Sequence, residues 1–295
     1  MKNMNIDKEI KQIYGAFLSF LEKLIGIDGT KNFDSFFRFG RTLNLSEPKS
    51  LADKVSYIEL HTDATLRAKC TDKYEVRKFV KDRGLAEILV PIVMDARSSA
   101  SEINFEDLPE EYVLKATHGC GMNIIHTNSE KKDFKSERKQ VERWLSTVYG
   151  KYSLEPHYLL IKPRVYAEEY LGELNGLIDY KFHCYNGKPS FVLTVSERDT
   201  GLYKLNAYTC DWVPINCVIG KHKSTNDIPM PKRLKEMLNI SRVLSAGFDF
   251  VRVDLYEVAG KVWFGELTFS PAACVFPYFT QDFLNREGKK LVITA

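Results

Sequence analysis

The chain has 295 residues, 44 % of them hydrophobic, and a formal net charge of +3. That length allows one sizeable core or two moderate ones. Lysines and arginines are mixed with acids throughout and form no basic tail or stripe, so nucleic acid is not an expected partner.

The N-terminus carries charges every few residues, and residues 5–25 read as an amphipathic helix. No signal peptide or bilayer-length apolar run opens the sequence, and the six cysteines show no C-x-x-C spacing. A cytoplasmic chain with reduced thiols is therefore expected. The helix fits packing on its own core better than lying on a membrane, but peripheral membrane association stays open. Residues 32–50 are aromatic-rich and irregular, and Leu51–Leu60 is helix-like again. Thr71 can cap a further helix whose apolar face includes Tyr74, Val76, Phe79 and Val80.

Leu89–Met94 and Tyr112–Ala116 are short β-branched runs, and Lys131–Tyr149 suits a surface helix. His157–Tyr170 is rich in β-formers. Ile178–Tyr185 and Lys188–Ser196 flank Asn186-Gly187, the strongest short hairpin signal. Pro231–Ser245 is a helix, and Phe250–Tyr256 and Val262–Phe269 alternate as strands around Gly260. The fold class is α+β: a helical N-terminal part, a small mixed middle and a sheet-rich C-terminal half.

Along the last strand pair, Val251, Val253 and Leu255 point one way and Arg252, Asp254 and Tyr256 the other. On the partner strand Gly265, Leu267 and Phe269 share one face, and Phe264, Glu266 and Thr268 the opposite one. A two-residue turn at Ala259-Gly260 would oppose Val253 to Glu266. A three-residue loop, Ala259-Gly260-Lys261, sets Val253 against Leu267, Leu255 against Gly265 and Asp254 against Glu266. The apolar pattern selects the second register. Two carboxylates placed directly opposite repel unless a cation lies between them, and hard oxygens suit Mg²⁺. Arg252, on the same face, suits charge building up on a transferring group. A solvated sheet face neutralised by Arg252 explains the same residues equally well.

Tyr112–Ala116 ends in Lys115 and opens into Thr117-His118-Gly119-Cys120-Gly121. An ammonium beside free backbone N–H groups suits phosphate oxygens, although no Walker A pattern is present and a lone G-x-G is more often a plain turn. His118 alone is more often a bonded loop residue than a base. Lys181 alternates with Asp179 and His183 on its strand. A long cation there suits a β- or γ-phosphate, and a surface lysine is the plain alternative.

The ordered set D-K (72–73), V-L-K-A-T-H-G-C-G (113–121), A-E-E-Y-L (167–171), D-Y-K-F-x-C-Y-N-G-K (179–188) and R-V-D-L-Y…F-G-E-L-T-F-S-P (252–271) resembles the ATP-grasp superfamily. The closer likeness is to its teichuronopeptide-biosynthesis, TupA-like branch, found in capsule and surface-polysaccharide gene clusters. The resemblance implies an ATP-grasp fold with two α+β lobes clasping ATP. It divides the chain into a helical region 1–70, a lobe with the phosphate loop 71–166, and a lobe with the metal site 167–295. It implies that Lys73 and Lys115 bind ATP phosphates, with His118, Gly119 and Gly121 in the closing loop. Glu168, Glu169 and Leu171 would meet adenine and ribose, and Asp254 and Glu266 would hold Mg²⁺. Arg252 and Lys181 would be catalytic. Many such ligases carry Asn two residues after the second acid; here Thr268 offers a hydroxyl instead.

The implied reaction is carboxylate–amine ligation through an acylphosphate, joining an amino acid or amino compound to a uronic acid of a surface polysaccharide. A glycosyltransferase is the alternative, without a D-x-D motif to support it. A kinase lacks H-R-D and D-F-G, and a nucleotide-binding scaffold without catalysis is left open by Thr268.

Overall fold

The computed structural model describes residues 2–128, 133–150, 154–172, 177–197 and 202–294, with side chains from residue 13 onward. Helix α1 spans Lys2–Phe39 and breaks at Gly26, whose φ of 73° and ψ of 174° end one helical run and start another. The aromatic-rich segment expected to be irregular is thus helical as far as Phe39. Stacking of Phe33 on Phe37, with the edge of Phe17 against Phe33, gives those rings their reason. Helix α2 (Leu51–His61) starts at a capping box in which Ser50 and Asp53 satisfy each other's backbone N–H, worth about 1 kcal/mol.

Helix α3 is Thr65–Thr71 and α4 is Val76–Asp82. Thr71 therefore closes a helix rather than opening one. The turn between them is organised by Asp72, whose Oδ1 accepts from the N–H groups of Tyr74 and Glu75 at 2.8 and 3.0 Å.

The first sheet has the antiparallel order β1-β4-β2-β3, from β1 (Ile92–Arg97), β2 (Tyr112–Ala116), β3 (Asn123–His126) and β4 (Val165–Glu169). The run expected at Leu89–Met94 begins as a strand only at Ile92, after a 3₁₀ turn over Ala86–Ile88. One face, with Leu114, Ala116, Val165 and Ala167, packs on α5 (Phe134–Leu145) through Val141 and Trp144. The opposite face carries Lys115, Tyr166 and Glu168. Lys131 and Lys132, where a helix was expected to begin, lie outside the described residues.

The second sheet has the order β7-β6-β5-β8-β9, all antiparallel: β5 (Asp179–Tyr185), β6 (Lys188–Ser196), β7 (Lys204–Thr209), β8 (Phe250–Val258) and β9 (Lys261–Thr268). Its apolar face, including Phe182, Val192, Val251, Val253, Leu255 and Leu267, packs on α6 (Leu234–Ser245) and on Val76 and Val80 of α4. Its other face is apolar towards β6 and β7, where Phe191, Leu193 and Leu205 meet α2 and α7 (Gln281–Gly288). Towards β8 and β9 that same face becomes polar.

The β8–β9 register is Val253 against Leu267 and Asp254 against Glu266. The odd residue sits elsewhere than expected. The turn is the two-residue Ala259-Gly260, with φ of 51° and 74°, the pair of positive values a tight hairpin requires. The register shifts between Asp254 and Leu255, so Leu255 meets Phe264 and Gly265 forms a β-bulge. A Cβ on Gly265 would lie 2.9 Å from the Tyr256 ring and 3.0 Å from the Asp254 carbonyl, which is why glycine stands there. The bulge also moves Phe264 into the apolar core, away from the Glu266–Thr268 face on which it was expected. Among the described residues no helix is long and apolar enough to cross a membrane, and all six cysteines are free.

Candidate active site

Antiparallel pairing lines up two rows of side chains across β5, β8 and β9. Lys181, Asp254 and Glu266 form one row, and His183, Arg252 and Thr268 the next. Arg252 grips Asp254 with two nitrogens, Nε to Oδ1 and Nη2 to Oδ2, both at 2.7 Å. The same Nη2 reaches Glu266 Oε1 at 3.1 Å and Thr268 Oγ1 at 2.9 Å. Thr268 in turn donates to Glu266 Oε1 at 2.8 Å. Lys181 donates to Asp254 and lies 3.5 Å from Asp179. The structure thus brings Lys181, Arg252, Asp254, Glu266 and Thr268 into one contact network.

Burial opposes the charges of Glu266 and Arg252, and their pairing outweighs it. Desolvation acts to raise the Glu266 pKa, but Lys73, Arg252, Lys181 and the Thr268 hydroxyl together hold it down at about 2. Desolvation likewise works against the Arg252 charge, and Asp254 followed by Glu266 reverses the effect and raises its pKa. His183 lies flat on Phe191, with centroids 4.2 Å apart. Burial, then the charge of Arg252, pushes its pKa well down and keeps the ring neutral.

The donor set of two carboxylates and a hydroxyl is of the kind that suits a hard divalent cation. Arg252 Nη2 is ringed by one oxygen each from Asp254, Glu266 and Thr268, so a positive group already stands where those oxygens converge. Among the described residues no group of three or more His, Cys, Asp and Glu could hold a metal. Two carboxylates and a hydroxyl suit Mg²⁺, which keeps waters and phosphate oxygens as its other ligands.

Lys73 is the residue that ties the first part of the chain to these acids. Its backbone N–H donates to the Thr117 carbonyl at 3.2 Å, its Nζ donates to the Gly119 carbonyl at 2.6 Å, and its charge acts on Glu266. The 117–122 loop is tight: a Cβ on Gly119 would sit 2.9 Å from the Tyr149 ring, and Gly121 has φ 67°. Lys115 is differently engaged. It bonds Glu168, which also accepts from the Tyr166 hydroxyl at 3.2 Å, so an expected phosphate ligand and an expected ribose ligand hold each other. His118 is buried and its Nε2 lies 2.9 Å from the Trp144 carbonyl. Burial pushes its pKa down, and the ring anchors the loop to α5. Glu169 is exposed at the end of β4, where its N–H donates to the Pro91 carbonyl; Leu171 lies just beyond, half-buried.

A family model for TupA-like ATPgrasp matches residues 53–291. The chain belongs to that family. No curated protein matches it. Similar solved structures include D-alanine–D-alanine ligase from Bacillus anthracis, 16 % identical, over 68 % of this chain and 57 % of that one, with a TM-score of 0.36. The enzyme of the same name from Helicobacter pylori is 12 % identical, over 85 % and 72 %, with a TM-score of 0.44. The ATP-grasp ligase PsnB, complexed with minimal precursor, Mg and ADP, is 14 % identical, over 74 % and 58 %, with a TM-score of 0.38. In the first and third of these matches the chain spans less than two thirds of the solved protein's length.

Three residues of this ATP-grasp chain escaped the motif reading. Arg164 donates to Asp72 at 3.0 Å and to Glu75 at 2.8 Å, and its carbonyl accepts from Thr117 N–H, so it fixes both the Lys73 turn and the loop. Arg77 lies 3.9 Å from Glu168 and donates to the Val90 carbonyl at 2.7 Å. His183 backs Arg252 from β5. Its alternation with Lys181 was the only signal the sequence offered for it.

Proposed function

We propose that this ATP-grasp chain is an ATP- and Mg²⁺-dependent carboxylate–amine ligase. The observation that carries the reading is the pairing of Asp254 with Glu266 on one sheet face, bridged by Arg252, with the charges of Lys181 and Lys73 both acting on Glu266. Family membership supports the nucleotide. In the proposed reaction a substrate carboxylate oxygen attacks the γ-phosphorus, and the bond to the leaving ADP oxygen breaks. An amine nitrogen then attacks the acyl carbon, phosphate leaves with the C–O electron pair, and the nitrogen gives up a proton to solvent.

Asp254, Glu266 and Thr268 would hold the metal, which neutralises phosphate charge when bound. Lys73 orients the phosphates from the loop side. Lys181 and Arg252, released from Asp254, are placed to offset charge on the transferring group and on the tetrahedral centre. Lys115 contributes a further phosphate contact once Glu168 turns to the ribose, with Glu169 and Leu171 beside the base and Gly119 and Gly121 letting the loop close. We take the phosphate-loop lobe to run from residue 71 through the end of β4 at Glu169, three residues beyond 166, because β4 lies wholly in the first sheet. The metal-site lobe follows to the C-terminus.

The proposed substrates are a uronic acid of a surface polysaccharide and an amino acid or amino compound, used in the cytoplasm where the free thiols persist. The test is to supply ATP and Mg²⁺ with mixed uronic acids and amines. Release of ADP and phosphate only when both partners are present is expected. AMP release, or turnover of a sugar nucleotide without ATP, would overturn the reading.

A further inference from the structure

The first run of α1 presents an apolar strip to solvent. Ile13, Phe17, Phe20 and Leu24 recur at spacings of four, three and four, which places them along one side of the helix. Phe33 packs against both Phe17 and Phe37, with centroids 5.6 and 5.9 Å away, and so joins the strip to Phe36 and Phe37 on the second run. These six exposed side chains range from 42 % to 71 % accessible. At about 150–250 Å² for a whole aromatic side chain, they leave roughly 800 Å² of apolar surface in water. The largest patch on an ordinary monomer is about 300–600 Å², whereas each partner in a stable complex buries about 800 Å².

We propose that this strip is the interface with a second copy of the chain, paired about a twofold axis. A twofold contact uses the same surface on both partners, so the area available matches what a stable dimer buries. Two features favour another helix over a lipid surface. The spacing of four, three and four is the narrow seam that a facing helix fills. The exposed residues flanking its first run, Ala16, Ser19, Glu22 and Lys23, carry one acid and one base, and the exposed Arg38 beside Phe37 is paired with Asp34, so the strip has no run of free cations like the rim of a helix that lies on anionic membranes.

Sedimentation velocity on the full chain, from low to high micromolar concentration, tests the proposal. The wild type is expected to sediment as a dimer at the upper end. A double variant, Ile13→Lys with Phe20→Lys, is expected to be a monomer throughout, with the melting curve of a monomeric wild type. Hydrogen exchange gives a check that needs no variant: amides of 13–24 should gain protection as the wild-type concentration rises. A wild type that stays monomeric, a dimer that survives the double variant, or protection independent of concentration would each overturn the proposal. Flotation of a monomeric wild type with phosphatidylglycerol vesicles would also overturn it, and would assign the strip to a lipid surface.

Discussion

Asp254 and Glu266 face each other across β8 and β9, and one nitrogen of Arg252 lies 2.7 Å from the first and 3.1 Å from the second. Two like charges are thereby held on one face by a cation that belongs to the chain itself. The arrangement separates the two acids by environment: the Asp254 side chain is 1 % exposed and that of Glu266 31 %.

That difference predicts unequal stability costs for equal losses of function. Asp254→Asn removes the carboxylate that Arg252 and Lys181 share, leaving Arg252 only Glu266 and Lys181 only the more distant Asp179, and is expected to cost about 3 kcal/mol. Glu266→Gln removes a partly exposed partner, leaves Arg252 its two bonds to Asp254, and is expected to cost less than Asp254→Asn. Both should abolish Mg²⁺-dependent turnover of ATP. Urea denaturation beside an ADP-release assay checks both parts.

The depressed pKa of Glu266 predicts a pH signature. Its folded value, about 2, lies below the ordinary 4.5, so its contribution to stability is fully present above 4.5 and is lost as pH falls from there towards 2. Urea midpoints of the wild type should fall more steeply through that window than those of Glu266→Gln. Equal slopes would remove the argument for this cation cage.

Gly265 is predicted to be intolerant of even one methyl group. A Cβ there would lie 3.0 Å from the Asp254 carbonyl, and the bulge sets which way Glu266 faces. Gly265→Ala is expected to cost about 1–3 kcal/mol, as overpacking does, and to lower activity further than the lost stability explains. Thermal melts and ADP release at a temperature where the variant stays folded separate the two effects.

Lys115 and Glu168 bond each other, so their substitutions should act in opposite directions on nucleotide affinity. Lys115→Ala removes the charged hydrogen bond proposed for phosphate, worth about 1.5–3 kcal/mol, and should weaken ATP binding roughly 10- to 100-fold. Glu168→Gln frees the lysine and should strengthen ATP binding. Calorimetric titrations of both variants read this directly, and unchanged affinity in Lys115→Ala would remove that residue from the phosphate site.

The strand pairing that frames the candidate site was legible in the sequence, because that information is local. Alternation of Val251, Val253 and Leu255 against Leu267 and Phe269 fixed the strand register, because one face had to be apolar. The position of the odd residue was not legible. A three-residue turn and a two-residue turn followed by a bulge give the same Asp254–Glu266 pairing, and only the crowding around Gly265 distinguishes them. Longer-range choices were also hidden. Lys181 meets Asp254 because β5 and β8 are neighbours although β6, β7 and α6 lie between them in the chain. Strand β7 escaped notice as a short edge strand, and residues 32–39 escaped as helix because their aromatic rings find each other only in three dimensions.

The most direct test of the central claim is a titration of Mn²⁺, in place of Mg²⁺, into the protein with a non-hydrolysable ATP analogue, read by electron paramagnetic resonance. The account predicts saturable, nucleotide-dependent Mn²⁺ binding by the wild type and its loss in Asp254→Asn and in Glu266→Gln. Undiminished Mn²⁺ binding in the folded variant carrying both substitutions would contradict it.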